Sequence, residues 1–128
     1  MILIDTSVLV EYLRSKDPGL FAKFKSLPVA VCGITRAEIL HGARSVADQN
    51  RLIVFLNAFT SVRFPEWQWD TLGSLLATLR SKGVTVPFSD AGIASLAISN
   101  DIELWTRDDQ FKLMQNVEPK LRLFADPS

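Results

Sequence analysis

The sequence predicts an α/β domain built on a mainly parallel sheet, and three observations lead there. Short apolar runs rich in β-branched residues alternate with stretches of helical periodicity along the whole chain. Strands separated by helices of this length favour parallel pairing through right-handed crossovers. One helical stretch, Ala91 to Ser99, carries small and apolar residues on most faces (Ile93, Ala94, Leu96, Ala97, Ile98), as a helix sandwiched between layers should.

In chain order, "MILI" opens as the first strand, followed by helical patterns over Val8 to Arg14 and Leu20 to Lys25. The second strand is "VAVCGI", and helices over Arg36 to Arg44 and Asp48 to Phe59 follow it. "SVRF" is the third strand. A long helix from Glu66 to Ser81 comes next, with Trp69, Leu72, Leu76 and Leu79 recurring at helical spacing as a core stripe. Gly83 supplies a left-handed stop. After the extended "VTVPFS" comes the sandwiched helix, then the strand "IELWT", a short helix behind Asp108 and Asp109, and "LRLF" as a fifth strand.

With 128 residues and 48% hydrophobic content, the chain suffices for one domain that buries roughly two thirds of its unfolded surface without metals or disulfides. No linker, repeat or low-complexity tract divides it. The longest apolar stretch, Leu27 to Ile34, is strand-sized, far below the roughly 20 residues of a membrane span. The start "MILIDTS" lacks a basic region and meets Asp5 early, so a cytoplasmic protein is expected. Cys32 is the single cysteine, which excludes an internal disulfide and a Cys-rich zinc site; within "VAVCGI" it reads as a core thiol. Fourteen Lys and Arg balance fourteen Asp and Glu, so a nucleic-acid partner would have to be held locally.

The informative residues are acids. In parallel α/β sheets, ligands sit outside the carboxyl ends of the strands. Asp5 follows "MILI", Glu38 lies one helical turn past "VAVCGI", Asp90 opens the sandwiched helix, and Asp108 follows "IELWT". Each has a local alternative as a helix cap. Asp5 with Thr6 and Ser7, the Thr35-x-x-Glu38 capping box, Ser89 with Asp90, and Asp108 or Asp109 all fit that role. Capping, however, needs only Ser, Thr or Asn, whereas four helix starts facing one crevice all offer carboxylates. Two carboxylates about 4 Å apart repel by roughly 4 kcal/mol at an effective dielectric of 20, so the cluster should hold protons or a cation. All-oxygen ligation suits a hard ion, Mg²⁺ or Mn²⁺. Such an ion keeps waters and accepts phosphate oxygens, which points to phosphate chemistry.

"LIDTSVLVEYL", "ITRAEILHGAR", "SDAGIASLA" and "LWTRDDQF" together resemble, in order, the four acidic motifs of the PIN-domain ribonucleases, especially VapC-type toxins of toxin–antitoxin pairs. The resemblance covers nearly the whole chain. It implies a single PIN-like domain over residues 1–128, with about five mainly parallel strands flanked by about six or seven helices. It also implies a Mg²⁺- or Mn²⁺-dependent endoribonuclease, a homodimer, and a cognate antitoxin that blocks the site, with assembly into a higher complex left open. Carried over by motif, the metal-binding acids are Asp5, Glu38, Asp90 and Asp108, with Thr6 and Thr106 in support. Where many relatives have an acid before the final Phe, this chain has Gln110, and Asp109 is an additional acid. Asp108 holds the T-x-D position and is taken as the ligand; Asp109 is taken as a capping or supporting residue. The expected reaction is attack of water on phosphorus in line with a departing 3′ oxygen, leaving a 5′ phosphate.

Arg36 and Arg107 flank site acids and are candidates to hold phosphates or pair with those acids, while Arg14, Lys16 and Arg44 are candidates to line an RNA approach. His41 completes a Glu-x-x-His half-motif of di-iron bundles, but there is no second histidine to complete the pair. A polar position on its helix is the expectation. Trp67 and Trp69 flank Gln68, so at most one lies centrally on the buried face and the other is available for a subunit interface. Three rival functions are weighed. A phospho-receiver needs an acceptor Asp after the middle strand and a Lys after the last, where this chain has "RFPEW" and "FADPS"; a haloacid dehalogenase-type phosphatase needs Asp-x-Asp, where it has Asp5-Thr6-Ser7. A catalytically degenerate PIN-like binding module would not need all four acids.

Overall fold

A computed structural model describes residues 1–126. Four strands form one parallel sheet: β1 (Ile2–Ile4), β2 (Val29–Cys32), β3 (Thr60–Val62) and β4 (Glu103–Trp105), in the order β3-β2-β1-β4. Helices α1 (Thr6–Ser15) and α2 (Pro18–Ser26) join β1 to β2. α3 (Gly33–His41) and α4 (Val46–Asn57) join β2 to β3. α5 (Gln68–Ser81) and α6 (Phe88–Ser99) join β3 to β4, and α7 (Gln110–Val117) follows.

The sheet has four strands where five were expected. "LRLF" makes only an isolated parallel bridge between Leu123 and Leu104, with Leu104 N–H donating to the Arg122 carbonyl and Phe124 N–H to the Leu104 carbonyl. The segment is docked on β4 by this short contact.

Side-chain alternation explains why the inner strands read as continuous apolar runs: both faces are covered. Ile2, Ile4, Val29, Val31 and Trp105 point toward a core shared with Val8, Leu9, Leu20, Phe24, Ile39 and Leu56 of α1 to α4. Leu3, Cys32 and Leu104 point the other way, into a core with Leu79, Ile93, Leu96, Phe111 and Met114 of α5 to α7. The sandwiched helix is as expected, with every residue from Ala91 to Ala97 buried. Gly92 lets it approach α3 closely; a Cβ there would lie 2.6 Å from Ile34 Cδ1.

The long helix differs from its expected stripe. Gln68, Leu72, Leu75 and Leu79 are its buried residues, while Trp67 and Trp69 are both exposed. Trp69 rests against Phe64, and the central position falls to Gln68, whose amide donates to Ser99 Oγ at 3.0 Å and Ser95 Oγ at 3.4 Å. Periodicity alone could not distinguish these registers, because the helix begins two residues later than expected and the aromatic rings cover its rim. Gly83 does end it in the left-handed region (φ 76°), with Gly83 N–H on the Arg80 carbonyl and Val84 N–H on the Leu79 carbonyl. Among the described residues, no helix is long and apolar enough to cross a membrane.

Candidate functional site

The sheet order fixes where to look. β1 leads to β2 on one side, whereas the chain crosses to β1's other edge to form β4. The crevice between the carboxyl ends of β1 and β4 is therefore the switch point at which such sheets bind ligands. Asp5 leaves β1 there, and Thr106, Arg107 and Asp108 leave β4 beside it.

Asp5 is buried at 3% exposure and held by two parallel relays that end on its Oδ2. Ser7 Oγ donates to Oδ2 at 2.7 Å while accepting Arg107 N–H at 2.9 Å. Thr106 Oγ1 donates to the same oxygen at 2.8 Å while accepting Asp108 N–H at 2.9 Å. Each relay runs from backbone N–H through a hydroxyl to a carboxylate oxygen, which fixes the orientation of the Asp5 side chain. No described protein group donates to Oδ1, which leaves that oxygen for a ligand.

The capping alternatives separate the acids. Asp5 does cap α1, accepting Ser7 N–H at 3.4 Å, and Asp108 Oδ1 accepts Gln110 N–H at 3.0 Å ahead of α7. Glu38 forms no capping box, because α3 starts at Gly33 and Glu38 lies well inside it. Its Oε1 instead accepts the Thr6 hydroxyl at 2.6 Å, across the α1–α3 contact. Asp90 sits in the first turn of α6 without capping it, since Pro87 occupies the cap position. Asp109 occupies the N-cap position of α7 without a side-chain cap bond and pairs with Lys112 in solvent.

Asp90 carries the electrostatic signature of the cluster. Its carboxyl is pushed up to about 6 by burial first, and then by the negative charges of Asp5, Asp108 and Glu38. A helix N-terminus by itself would pull a carboxylate the other way. Residues from four separate segments thus act on one another through space. Among the described residues no three His, Cys, Asp or Glu side chains converge closely enough to form a ready-made ion cage. Hydroxyl and backbone donors hold Asp5, Glu38 and Asp108 individually. The donor set is all oxygen and mutually repelling, which fits a hard, hydrated divalent cation.

The cations around the site divide into two groups. Arg107 turns from the crevice, its Nε donating to Glu11 at 2.7 Å and a terminal nitrogen to Asp126 at 2.8 Å. Arg14, Arg36 and Arg44 form no ion pair among the described residues. Arg14, Lys16 and Arg44 line a groove of about 700 Å³ between α1, α3 and α4 that also includes Glu38. His41 is exposed at the end of α3, and Cys32 is buried with its thiol pushed up by burial. Ser7 is the member the sequence reading treated only as a cap. Its place in an Asp-Thr-Ser run directly after a buried strand was the available signal.

The chain is similar to known proteins over nearly its whole length. The profile of the PIN domain matches residues 2–116. Ribonuclease VapC4 of Mycobacterium tuberculosis is 28% identical over 120 residues, covering 91% of this chain and 92% of that protein. Ribonuclease VapC1 of Methanocaldococcus jannaschii is 27% identical over 108 residues, 84% of this chain and 75% of its own. VapBC2 from Rickettsia felis, solved bound to a DNA fragment from its promoter, superposes with a TM-score of 0.83 at 25% identity, covering 97% of this chain and 98% of that one. A chain of DNA-bound VapBC from Salmonella typhimurium shares the fold, with a TM-score of 0.80 at 22% identity and 96% coverage of each chain. With the family profile spanning nearly the whole sheet and all four acidic segments, this chain belongs to the PIN domain family.

Proposed function

We propose that this chain is a divalent-metal-dependent endoribonuclease of the VapC type, acting as the toxin of a toxin–antitoxin pair. The observation that carries the reading is that acids from three other segments, Asp5, Asp108 and Glu38, add to burial in raising the Asp90 carboxyl. These four would hold Mg²⁺ or Mn²⁺. When bound, such an ion supplies Lewis acidity toward a phosphodiester and makes water a better nucleophile near neutral pH.

The chain's own residues do the positioning. Ser7 and Thr106 orient Asp5 through its Oδ2, leaving Oδ1 free, and Thr6 fixes Glu38. Asp90, its carboxyl pushed up to about 6 by burial and then by the neighbouring acids, would be drawn to its charged form by a nearby cation. Arg14, Lys16 and Arg44 offer positive charge to an RNA backbone along the groove beside Glu38, and Arg36 does so from α3. Similarity to proteins of VapBC complexes supports a cognate antitoxin as partner. A homodimer and a cytoplasmic location belong to the same reading.

The test is cleavage of RNA by the purified protein in Mn²⁺ or Mg²⁺, with EDTA as control and product ends analysed for 5′ phosphate. Asp5→Asn should keep the wild-type circular dichroism spectrum and lose at least about two orders of magnitude in rate, the scale at which a lost transition-state contact acts. Full activity in EDTA, or in Asp5→Asn, would refute the assignment. Binding of a partner with no cleavage under any metal would favour the degenerate module.

A further inference from the structure

We infer that Asp126, through Arg107, is a positioning residue for the candidate site: an ion-pair brace that fixes the turn carrying Thr106 and Asp108. This rests on the proposed function for its consequence, although the brace itself is visible in the geometry. Asp126 lies in the segment docked on β4, with its side chain only 4% exposed. Its Oδ2 accepts from Arg107 at 2.8 Å, and its Oδ1 accepts from Lys23 of α2 at 2.6 Å. Burial would push this carboxyl up, but the hydrogen bonds and charges of Lys23 and Arg107 outweigh it and hold it below the ordinary range. Glu11 of α1 holds the other side of the guanidinium at 2.7 Å.

The link to the site is one covalent step long. Arg107 N–H donates to Ser7 Oγ, which donates to Asp5 Oδ2; the residues on either side of Arg107 supply the second relay and Asp108 itself. A guanidinium fixed from α1 and from the 121–126 segment therefore sets where both relays begin. A phosphate-binding role would instead require Arg107 to leave two carboxylates. The brace is electroneutral as a whole, since Arg107 and Lys23 balance Glu11 and Asp126; Asp126→Ala alone removes one negative charge, whereas Arg107→Ala combined with Asp126→Ala removes one charge of each sign.

The experiment is direct Mn²⁺ binding, read by the loss of the free-ion electron paramagnetic resonance signal, on the full chain in wild-type, Asp5→Asn, Asp126→Ala, Asp126→Glu and Arg122→Ala forms. Arg122 ties the same segment to Asp101 away from the site, and so controls for general loosening. Asp126→Ala should weaken Mn²⁺ binding about five- to twentyfold with an unchanged circular dichroism spectrum. Asp126→Glu should recover part of the loss, and Arg122→Ala should stay within about twofold of wild type. In Arg107→Ala, adding Asp126→Ala should cost little more. Equal losses in Asp126→Ala and Arg122→Ala, or none in Asp126→Ala while Asp5→Asn loses binding, would overturn the brace. Wild-type protein that binds no Mn²⁺ would overturn both the brace's function and the metal-dependent reading.

Discussion

Replacing Asp90 by Asn should stabilise the metal-free protein at pH 8 while abolishing its activity. The carboxyl is raised from 3.8 to about 6, so the folded protein holds its proton more tightly than the unfolded chain does. The proton's contribution is fully present below the unfolded value and is lost as pH rises through the folded one. Ionised Asp90 therefore costs stability above about pH 6. A shift of this size corresponds to roughly 3 kcal/mol at about 1.4 kcal/mol per unit. Asp90 is partly solvated, and screening reduces this to about 1–2 kcal/mol. For a domain of this length that is about 4–7 °C in Tm. The assay is thermal unfolding in EDTA at pH 4 and pH 8. Asp90→Asn should melt higher than wild type at pH 8 and near it at pH 4, and excess Mn²⁺ should raise the wild-type Tm more than the variant's. A variant that melts lower than wild type at pH 8 would refute the claim that the neighbouring acids load this position with unfavourable charge.

Other expectations concern how the fold holds the site. Phe111→Ala removes a fully buried ring behind Asp108 and should cost about 3–5 kcal/mol in urea denaturation. Gly92→Ala forces Ile34 Cδ1 to move from a 2.6 Å contact, so its effect on Tm should depend on residue 34. In an Ile34→Val background, which lacks that atom, the same substitution should stabilise by about 0.5–1 kcal/mol through helix propensity. Gln68→Met loses the 3.0 Å hydrogen bond to Ser99 Oγ but also removes a buried Oε1 that has no partner, and these opposing effects should leave stability changed by less than about 1 kcal/mol.

The sequence revealed the layers because both sheet faces are covered. β1 and β2 needed apolar residues at every position, and the all-round apolar α6 could only be internal. Asp5 and Asp108 were legible as candidates because each follows a strand end, and Glu38 because it lies in the helix after β2, whereas Asp90 opens α6 after a loop that forms no strand. Other features were hidden for physical reasons. A parallel edge contact such as Leu123 with Leu104 involves too few residues to differ in pattern from a full strand. The register of α5 depended on whether a large ring or an amide fills a space set by Ser95 and Ser99, on a different helix. Whether Arg107 pairs with acids or offers charge to phosphates was open in the sequence because its partners, Glu11 and Asp126, are far from it along the chain. Ser7 looked like a cap because its second role requires the turn after β4.

The central claim is that carboxylates from four separate segments together hold divalent metal, and a crystal soaked in Mn²⁺ with data collected at the manganese edge tests it most directly. The account predicts an anomalous peak in the crevice between β1 and β4, with carboxylate oxygens of Asp5 and at least one of Asp90 and Asp108 at about 2.0–2.3 Å or joined through its waters. A peak bound only by other residues, or a crevice with the acids still splayed and no peak at saturating Mn²⁺, would contradict it.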